Sequence, residues 1–265
     1  MESENRVAIV TGASRGIGRA ISERIARKGV KVVVSDILDA DETAQSIVSA
    51  NGDAVFIRCD VTNAGDVVTL TRSAIERFGC IDILVNCAGV ITISPVHELK
   101  EAEWDRVMSI NVKGTFLTCR AVIPHMMGRK QGRIINISSI AGKTGYGGLS
   151  AYCASKFAVI GFTQALSKEM GKYNVNVNAI CPGNIYTAMW DRIAESGHAG
   201  LIYPSAGDRE VNGRELVEFI CRDSTSLGRP QSLKDVAALA AFLISNEARN
   251  ITGQAINIDA GQEVH

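Results

Sequence analysis

Short runs of β-branched and other apolar residues alternate with amphipathic stretches along this chain, and that alternation limits the fold more than any other feature. Residues 7–10, 31–35, 54–57, 81–85, 133–137, 175–180 and 255–258 read as strands. Amphipathic patterns near 17–28, 41–50, 64–78, 103–128, 151–171 and 233–245 read as the helices between them. Strands that are apolar along their whole length are covered on both faces, which is the condition of a parallel sheet. Right-handed crossovers between such strands give a doubly wound sheet. The expected fold is therefore α/β, a Rossmann-type parallel sheet of about seven strands with helices on both faces. Gly and Pro fall at the joints and no repeat or linker interrupts the pattern, so residues 1–265 read as a single domain.

The 28 basic residues match the 28 acidic ones, so charge points neither to nucleic acid nor to an anionic membrane. No stretch approaches the roughly 18 apolar residues of a membrane span. The polar start Met1-Glu2-Ser3-Glu4-Asn5-Arg6 argues against a signal peptide. Seven cysteines, scattered and without a Cys-x-x-Cys pair, read as small core residues in a reducing cytoplasm. The four histidines are dispersed too, so no metal site is expected.

Between the first strand and the first helix lies Thr11-Gly12-Ala13-Ser14-Arg15-Gly16-Ile17-Gly18. Glycines let a backbone turn sharply and approach a pyrophosphate, and the helix after them offers free N–H groups and a partial positive charge. Asp36 ends the second strand about twenty residues on, where a carboxylate would accept hydrogen bonds from the adenosine ribose. A 2′-phosphate there would be repelled, and Ile37 and Leu38 bring no cation. Arg15 could reach such a phosphate only against the adjacent carboxylate, so the expected cofactor is NAD.

Tyr152-Cys153-Ala154-Ser155-Lys156 places a phenol and an ammonium four residues apart, on one face of a helix. A nearby cation favours the phenolate, and such a Tyr can pass a proton to or from an alcohol oxygen. Ser139, thirteen residues before Tyr152, adds a hydroxyl able to hold a carbonyl oxygen. After Pro182-Gly183 the pattern offers only short helices near 187–196 and 213–222, punctuated by glycines. A long connection at the carboxyl end of a strand reads as a substrate lid, at about 187–225. Candidate pocket walls are the loop 142–149, residues 92–95 and the lid from Met189 onward. The lid mixes Met189, Trp190 and Ile193 with Arg192, Glu195, His198, Arg209 and Glu210, a lining suited to a small hydroxylated substrate.

These elements together resemble the short-chain dehydrogenase/reductase family in its single-domain form, over residues 6–261. The resemblance implies that Asp60 and Val61 frame the adenine ring, and that Asn86-Cys87-Ala88-Gly89 is the family's Asn-Asn-Ala-Gly segment, with Asn86, Ala88 and Gly89 at the cofactor. Cys87 departs from the second Asn, which puts local hydrogen bonding in doubt. It implies a catalytic tetrad of Asn111, Ser139, Tyr152 and Lys156. In it Ser139 binds the substrate oxygen and Tyr152 exchanges the proton. Lys156 acidifies Tyr152 and binds the nicotinamide ribose, and Asn111 holds a water linking Lys156 to solvent. In Pro182-Gly183-Asn184-Ile185-Tyr186-Thr187, the Ile185 backbone and Thr187 hydroxyl would fix the nicotinamide carboxamide. The family commonly forms homotetramers, less often dimers, through helices matching 103–128 and 151–171 and the C-terminal strand.

The reading is an NAD-dependent oxidoreductase interconverting a secondary alcohol and a ketone. The ending Thr252 to Gln262 is similar to those of sugar-alcohol and diol dehydrogenases, so a polyol, ketose or small diol leads as substrate. The enzymatic alternative is a 3-oxoacyl-carrier-protein reductase using NADPH. An alternative of another class is a catalytically silent nucleotide sensor or structural subunit, which would need the glycine loop but not the tetrad.

Overall fold

Seven parallel strands form one sheet in the computed structural model, which describes residues 6–207 and 211–264. The expected insertion residues Arg209 and Glu210, and the polar start before Arg6, lie outside the described residues. The strands are β1 (Val7–Thr11), β2 (Lys31–Asp36), β3 (Ala54–Arg58), β4 (Ile83–Asn86), β5 (Gly132–Ile137), β6 (Val175–Pro182) and β7 (Ala255–Ile258). Their order across the sheet is β3-β2-β1-β4-β5-β6-β7, so the winding direction reverses between β1 and β4. In open α/β sheets that reversal opens a crevice at the carboxyl ends of the strands.

The helices are α1 (Gly16–Ala26), α2 (Asp41–Ser49), α3 (Ala64–Phe78), α4 (Glu101–Met108), α5 (Gly114–Arg129), α6 (Ser150–Met170), α7 (Ala188–Glu195), α8 (Ala199–Ile202), α9 (Gly213–Ser224) and α10 (Leu233–Leu243). Alternate strand residues supply the two faces of the sheet. Ala8, Val10, Val32 and Val34 pack with Ile21 and Ile25 of α1, Ile47 of α2, and Val236 and Ala240 of α10. Ile9, Val33, Leu84 and Ile134 face the other way, onto Leu70 of α3, Val122 and Met126 of α5, and Leu166 of α6. Each such fully buried Ile, Leu or Met contributes roughly 1.5–3 kcal/mol of transfer free energy.

One expected helix, 103–128, is two: α4 and α5 are joined by a π-helical turn, Ser109–Lys113. A π-turn inserts an extra residue and rotates the helix beyond it, and such turns cluster at functional sites. Here it carries Asn111, which is 1% exposed.

Candidate active site

The glycine loop is built from close backbone approaches. Gly12 and Gly16 take left-handed φ values of 64° and 57°. A β-carbon on Gly12 would lie 2.7 Å from the Ala88 Cα, and one on Gly18 would overlap the Gly12 carbonyl oxygen. At Gly16 nothing lies within 4 Å of that position, so only the backbone angle requires glycine there. Helix α1 begins without a capping side-chain hydrogen bond and without an acidic residue in its first turn. By contrast α3, α9 and α10 are capped by Asn63, Asn212 and Ser232. The Ile17 and Gly18 end of α1 thus keeps its N–H groups and positive dipole end for an anion. That uncapped glycine cradle fits the pyrophosphate of a dinucleotide.

Asp36 stands beside this loop, accepting from the Ser14 N–H and the Leu38 N–H at 3.0 Å each. A carboxylate has about four acceptor positions, so two hydroxyl donors can still be served. Asp60 accepts from the Thr62 N–H at 2.9 Å and hydroxyl at 2.8 Å, closing a turn that presents Val61. Val61 packs onto Gly114, where a β-carbon would lie 2.7 Å from its Cγ2.

The middle of the crevice is bolted by Thr11, whose hydroxyl accepts from the Cys87 and Ala88 N–H groups at 3.1 and 3.2 Å. The main chain at Cys87 is thus held by Thr11 independently of the side chain there. The Cys87 side chain packs on the apolar core instead, and burial pushes its thiol up to about 12. Asn86, expected at the cofactor, has its side chain engaged inside the sheet. It donates to Asn136 Oδ1 at 2.9 Å and to Cys119 Sγ at 3.3 Å, and accepts from Thr118 at 2.6 Å.

Asn111, Gly89 and Lys156 converge: a β-carbon on Gly89 would lie 3.4 Å from Asn111 Oδ1 and 3.5 Å from Lys156 Nζ. The Asn111 amide is spent on protein partners. It accepts from the Val90 N–H at 2.8 Å and donates to the Val90 carbonyl and Ser155 Oγ, both at 2.9 Å. Lys156, 5% exposed, donates to the Ile137 carbonyl at 2.9 Å and sits 5.6 Å from the centre of the Tyr152 ring. Ser139 accepts from the Ala141 N–H at 3.1 Å and faces the Tyr152 phenol. Its neighbour Ser138 is buried and donates to the Lys156 carbonyl, which removes it from the crevice.

The titration of this pair departs from the sequence expectation. Burial raises Tyr152 to about 12, opposed by the Ser139 hydrogen bond, while burial lowers Lys156 to about 8. For Tyr152 desolvation outweighs the Ser139 hydrogen bond that favours the phenolate, so Tyr152 is a protonated donor at neutral pH.

On the far wall, Gly183 lets the chain pass Asp259, whose Cβ would lie 2.7 Å from an added β-carbon. Pro182 ends β6, and Ile185 is buried in a bridge to Gln231. Thr187 precedes α7 in extended conformation, with its hydroxyl free of any capping bond. The expected pocket walls do meet: the Ser94 N–H donates to the Gly148 carbonyl at 2.9 Å, and Leu201 of α8 packs on Gly147 and Gly148.

The insertion is less polar inside than expected. Trp190, Ile193, Ile202, Leu216, Val217 and Ile220 form an apolar core of their own, with Tyr152 at its margin. Arg192 and Glu195 are exposed. Sequence reasoning also missed the polar contacts beneath it. Tyr146 donates to Glu263 at 2.6 Å, Tyr203 donates to Asn184 at 2.7 Å, and Asn184 donates to Gln262 at 2.9 Å. Tyr146 lay inside an expected wall, but nothing in the sequence ties it to the C-terminal tail. Ser155, missed too, donates to the Tyr152 carbonyl at 2.7 Å and so couples Asn111 to the helix of Tyr152.

Comparison with known proteins agrees with this architecture. A family model described as short chain dehydrogenase matches residues 6–197. The L-2,3-butanediol dehydrogenase of Corynebacterium glutamicum is 37% identical, over 97% of this chain and 98% of that protein. The 3-oxoacyl-[acyl-carrier-protein] reductase of Synechocystis is 36% identical, over 97% of this chain and 96% of that protein. The crystal structure of gox2181 superposes with a TM-score of 0.86 at 30% identity, covering 98% of this chain and 96% of that one. The chain belongs to the short-chain dehydrogenase/reductase family. It is thus an oxidoreductase of a family that uses a nicotinamide cofactor, NAD or NADP. Among the described residues no helix is long and apolar enough to cross a membrane.

Proposed function

We propose that the protein interconverts a secondary alcohol and a ketone with NAD(H), on a small diol, polyol or sugar alcohol and its ketose. The observation that carries this reading is the meeting of Tyr152, Ser139 and buried Lys156 at the carboxyl rim of the sheet, beside an uncapped glycine loop. When bound, the nicotinamide supplies or accepts a hydride at the carbinol carbon.

Everything else is the work of this chain. Ser139 and Tyr152 hold the substrate oxygen, and Tyr152, protonated at neutral pH, gives it the proton during reduction. Lys156 supplies the positive charge that favours the phenolate left behind. Asn111 positions the site by clamping Val90 and Ser155. Gly12, Ser14, Arg15, Gly16, Ile17 and Gly18 receive the pyrophosphate, and Asp36 the ribose hydroxyls. Asp60 and Val61 take the adenine, and Ala88 and Gly89 line the floor. Pro182, Gly183, Ile185 and Thr187 take the carboxamide side, and the insertion 187–225 serves as lid.

The 37% identity to a butanediol dehydrogenase supports a diol-sized substrate. The 36% identity to a 3-oxoacyl reductase favours a second reading, with NADPH. Asp36 supports the first, because its carboxylate opposes a 2′-phosphate. Exposed Trp104, Phe116 and Phe157 on α4, α5 and α6 support homo-oligomers, expected tetrameric, through those helices. Seven free cysteines support a cytoplasmic setting.

The discriminating test is kcat/KM with NADH and NADPH across acetoin, diacetyl, ketoses and a 3-oxoacyl thioester. The expected outcome is at least a tenfold preference for NADH, with a hydroxyketone or diketone as best substrate. Equal or better use of NADPH with the thioester would reverse the reading.

A further inference from the structure

The rim of the sheet opposite the crevice holds a cavity of about 250 Å³ that none of the chemistry above uses. Arg133, the second residue of β5, lines it and is 7% exposed. Among the described residues its Nη1 donates only to the carbonyl of its own neighbour Gly132, at 3.0 Å, and its buried Nε has no hydrogen-bond partner. Among the described residues no carboxylate forms an ion pair with it. Asp82, the one acidic residue among the described residues of the lining, is already committed. Its Oδ1 pairs with Arg129 at 3.1 Å, and its Oδ2 accepts from the Val7 N–H at 3.0 Å and Cys80 at 3.2 Å.

A second guanidinium, that of Arg6, lines the same cavity, with its Nη1 donating to the Ile244 carbonyl at 2.6 Å. Burial and the like charge of Arg6 both act against the charged form of Arg133. A buried charge in this position is strongly unfavourable unless it is paired and hydrogen-bonded. A guanidinium presents a planar fork of donors matched to carboxylate or phosphate oxygens. Gln131, Asn174 and Asn246 complete a polar lining, in which the Asn174 amide donates to the Lys130 carbonyl at 3.2 Å. The volume far exceeds the roughly 30 Å³ of one water, so the cavity admits more than a bridging solvent molecule.

We propose that this cavity is a binding site for a small oxyanion, a phosphate- or carboxylate-bearing metabolite held by Arg133, distinct from the cofactor and substrate crevice. The inference stands on Arg133 and the cavity alone and does not depend on the function proposed above.

The test is thermal denaturation of the whole protein with inorganic phosphate or succinate at millimolar concentration, against chloride at constant ionic strength. The expected result is a saturable rise in Tm with at least one probe. A rise with phosphate alone assigns a phosphoryl ligand, and a rise with succinate assigns a carboxylate ligand. Arg133→Met, which keeps the stem and removes the charge, should fold with an unreduced Tm in chloride and lose the rise. Arg133→Lys should weaken apparent affinity at least tenfold. No saturable rise with either probe would overturn the proposal. So would an equal rise in Arg133→Met, or a wild-type rise abolished by saturating NADH, which would place the anion at the glycine loop.

Discussion

The glycine loop and the insertion sit on opposite sides of the same crevice, and they are specified in different ways. The loop is fixed by backbone: Gly12 against Ala88, Gly18 against the Gly12 carbonyl, and Gly16 by its φ alone. The insertion is fixed by side chains, with Trp190 stacked on Tyr203 at 6.0 Å and an apolar core shared by α7, α8 and α9. A backbone-built site tolerates almost no substitution but is rigid. A side-chain-built one can be re-shaped, and suits the part of an enzyme that chooses among substrates.

The largest expected effect that would sharpen this contrast is on the insertion. Trp190→Ala removes a buried aromatic and should cost about 3–5 kcal/mol of local stability. Hydrogen exchange should then accelerate in α7 and α9 and stay unchanged in β1, α1 and β2. Equal acceleration in both regions would break the comparison. On the other side, Gly18→Val forces a side chain into the Gly12 carbonyl. Dinucleotide affinity should fall at least about 100-fold, while exchange in α7 and α9 is unmoved; titration of NADH fluorescence reads it.

A smaller effect is expected where the two regions meet. Lys156 is lowered from 10.5 to about 8 by burial, so its charged form is costly in the folded protein. Lys156→Met should raise stability at pH 7 by roughly 2–3 kcal/mol, allowing for the lost bond to Ile137. The sign comes from proton binding: between about pH 8 and 10.5 the unfolded chain holds more protons, so wild-type stability rises with pH. The advantage of the variant should therefore shrink over that interval, as urea denaturation at several pH values will read.

Legibility in the sequence divides along the same line. Sheet, winding and glycine cradle are legible because period, apolar runs and glycine spacing are backbone statements, and every expected strand lies within two residues of an observed one. Tyr152, Lys156, Ser139 and Asn111 are legible as residues, and the fold brings them together. Their energetics are not: a four-residue spacing predicts proximity, whereas the rise of Tyr152 to about 12 comes from burial by distant segments. The π-turn at Ser109–Lys113 is hidden because its residues fit an ordinary helical pattern. The contact of Tyr146 with Glu263 is hidden because it joins residues far apart in the chain. The pocket-facing side of the insertion is not legible, because amphipathic helices show polar residues such as Arg192 and Glu195 whether those face a pocket or water.

The proposed chemistry rests on Tyr152 as the proton donor to the substrate oxygen. Tyr152→Phe removes only that hydroxyl, and steady-state turnover measured beside a direct NADH titration separates chemistry from binding. Turnover should fall by about 10²–10⁴-fold with dinucleotide affinity held within a few-fold. Turnover retained near the wild-type value would contradict it.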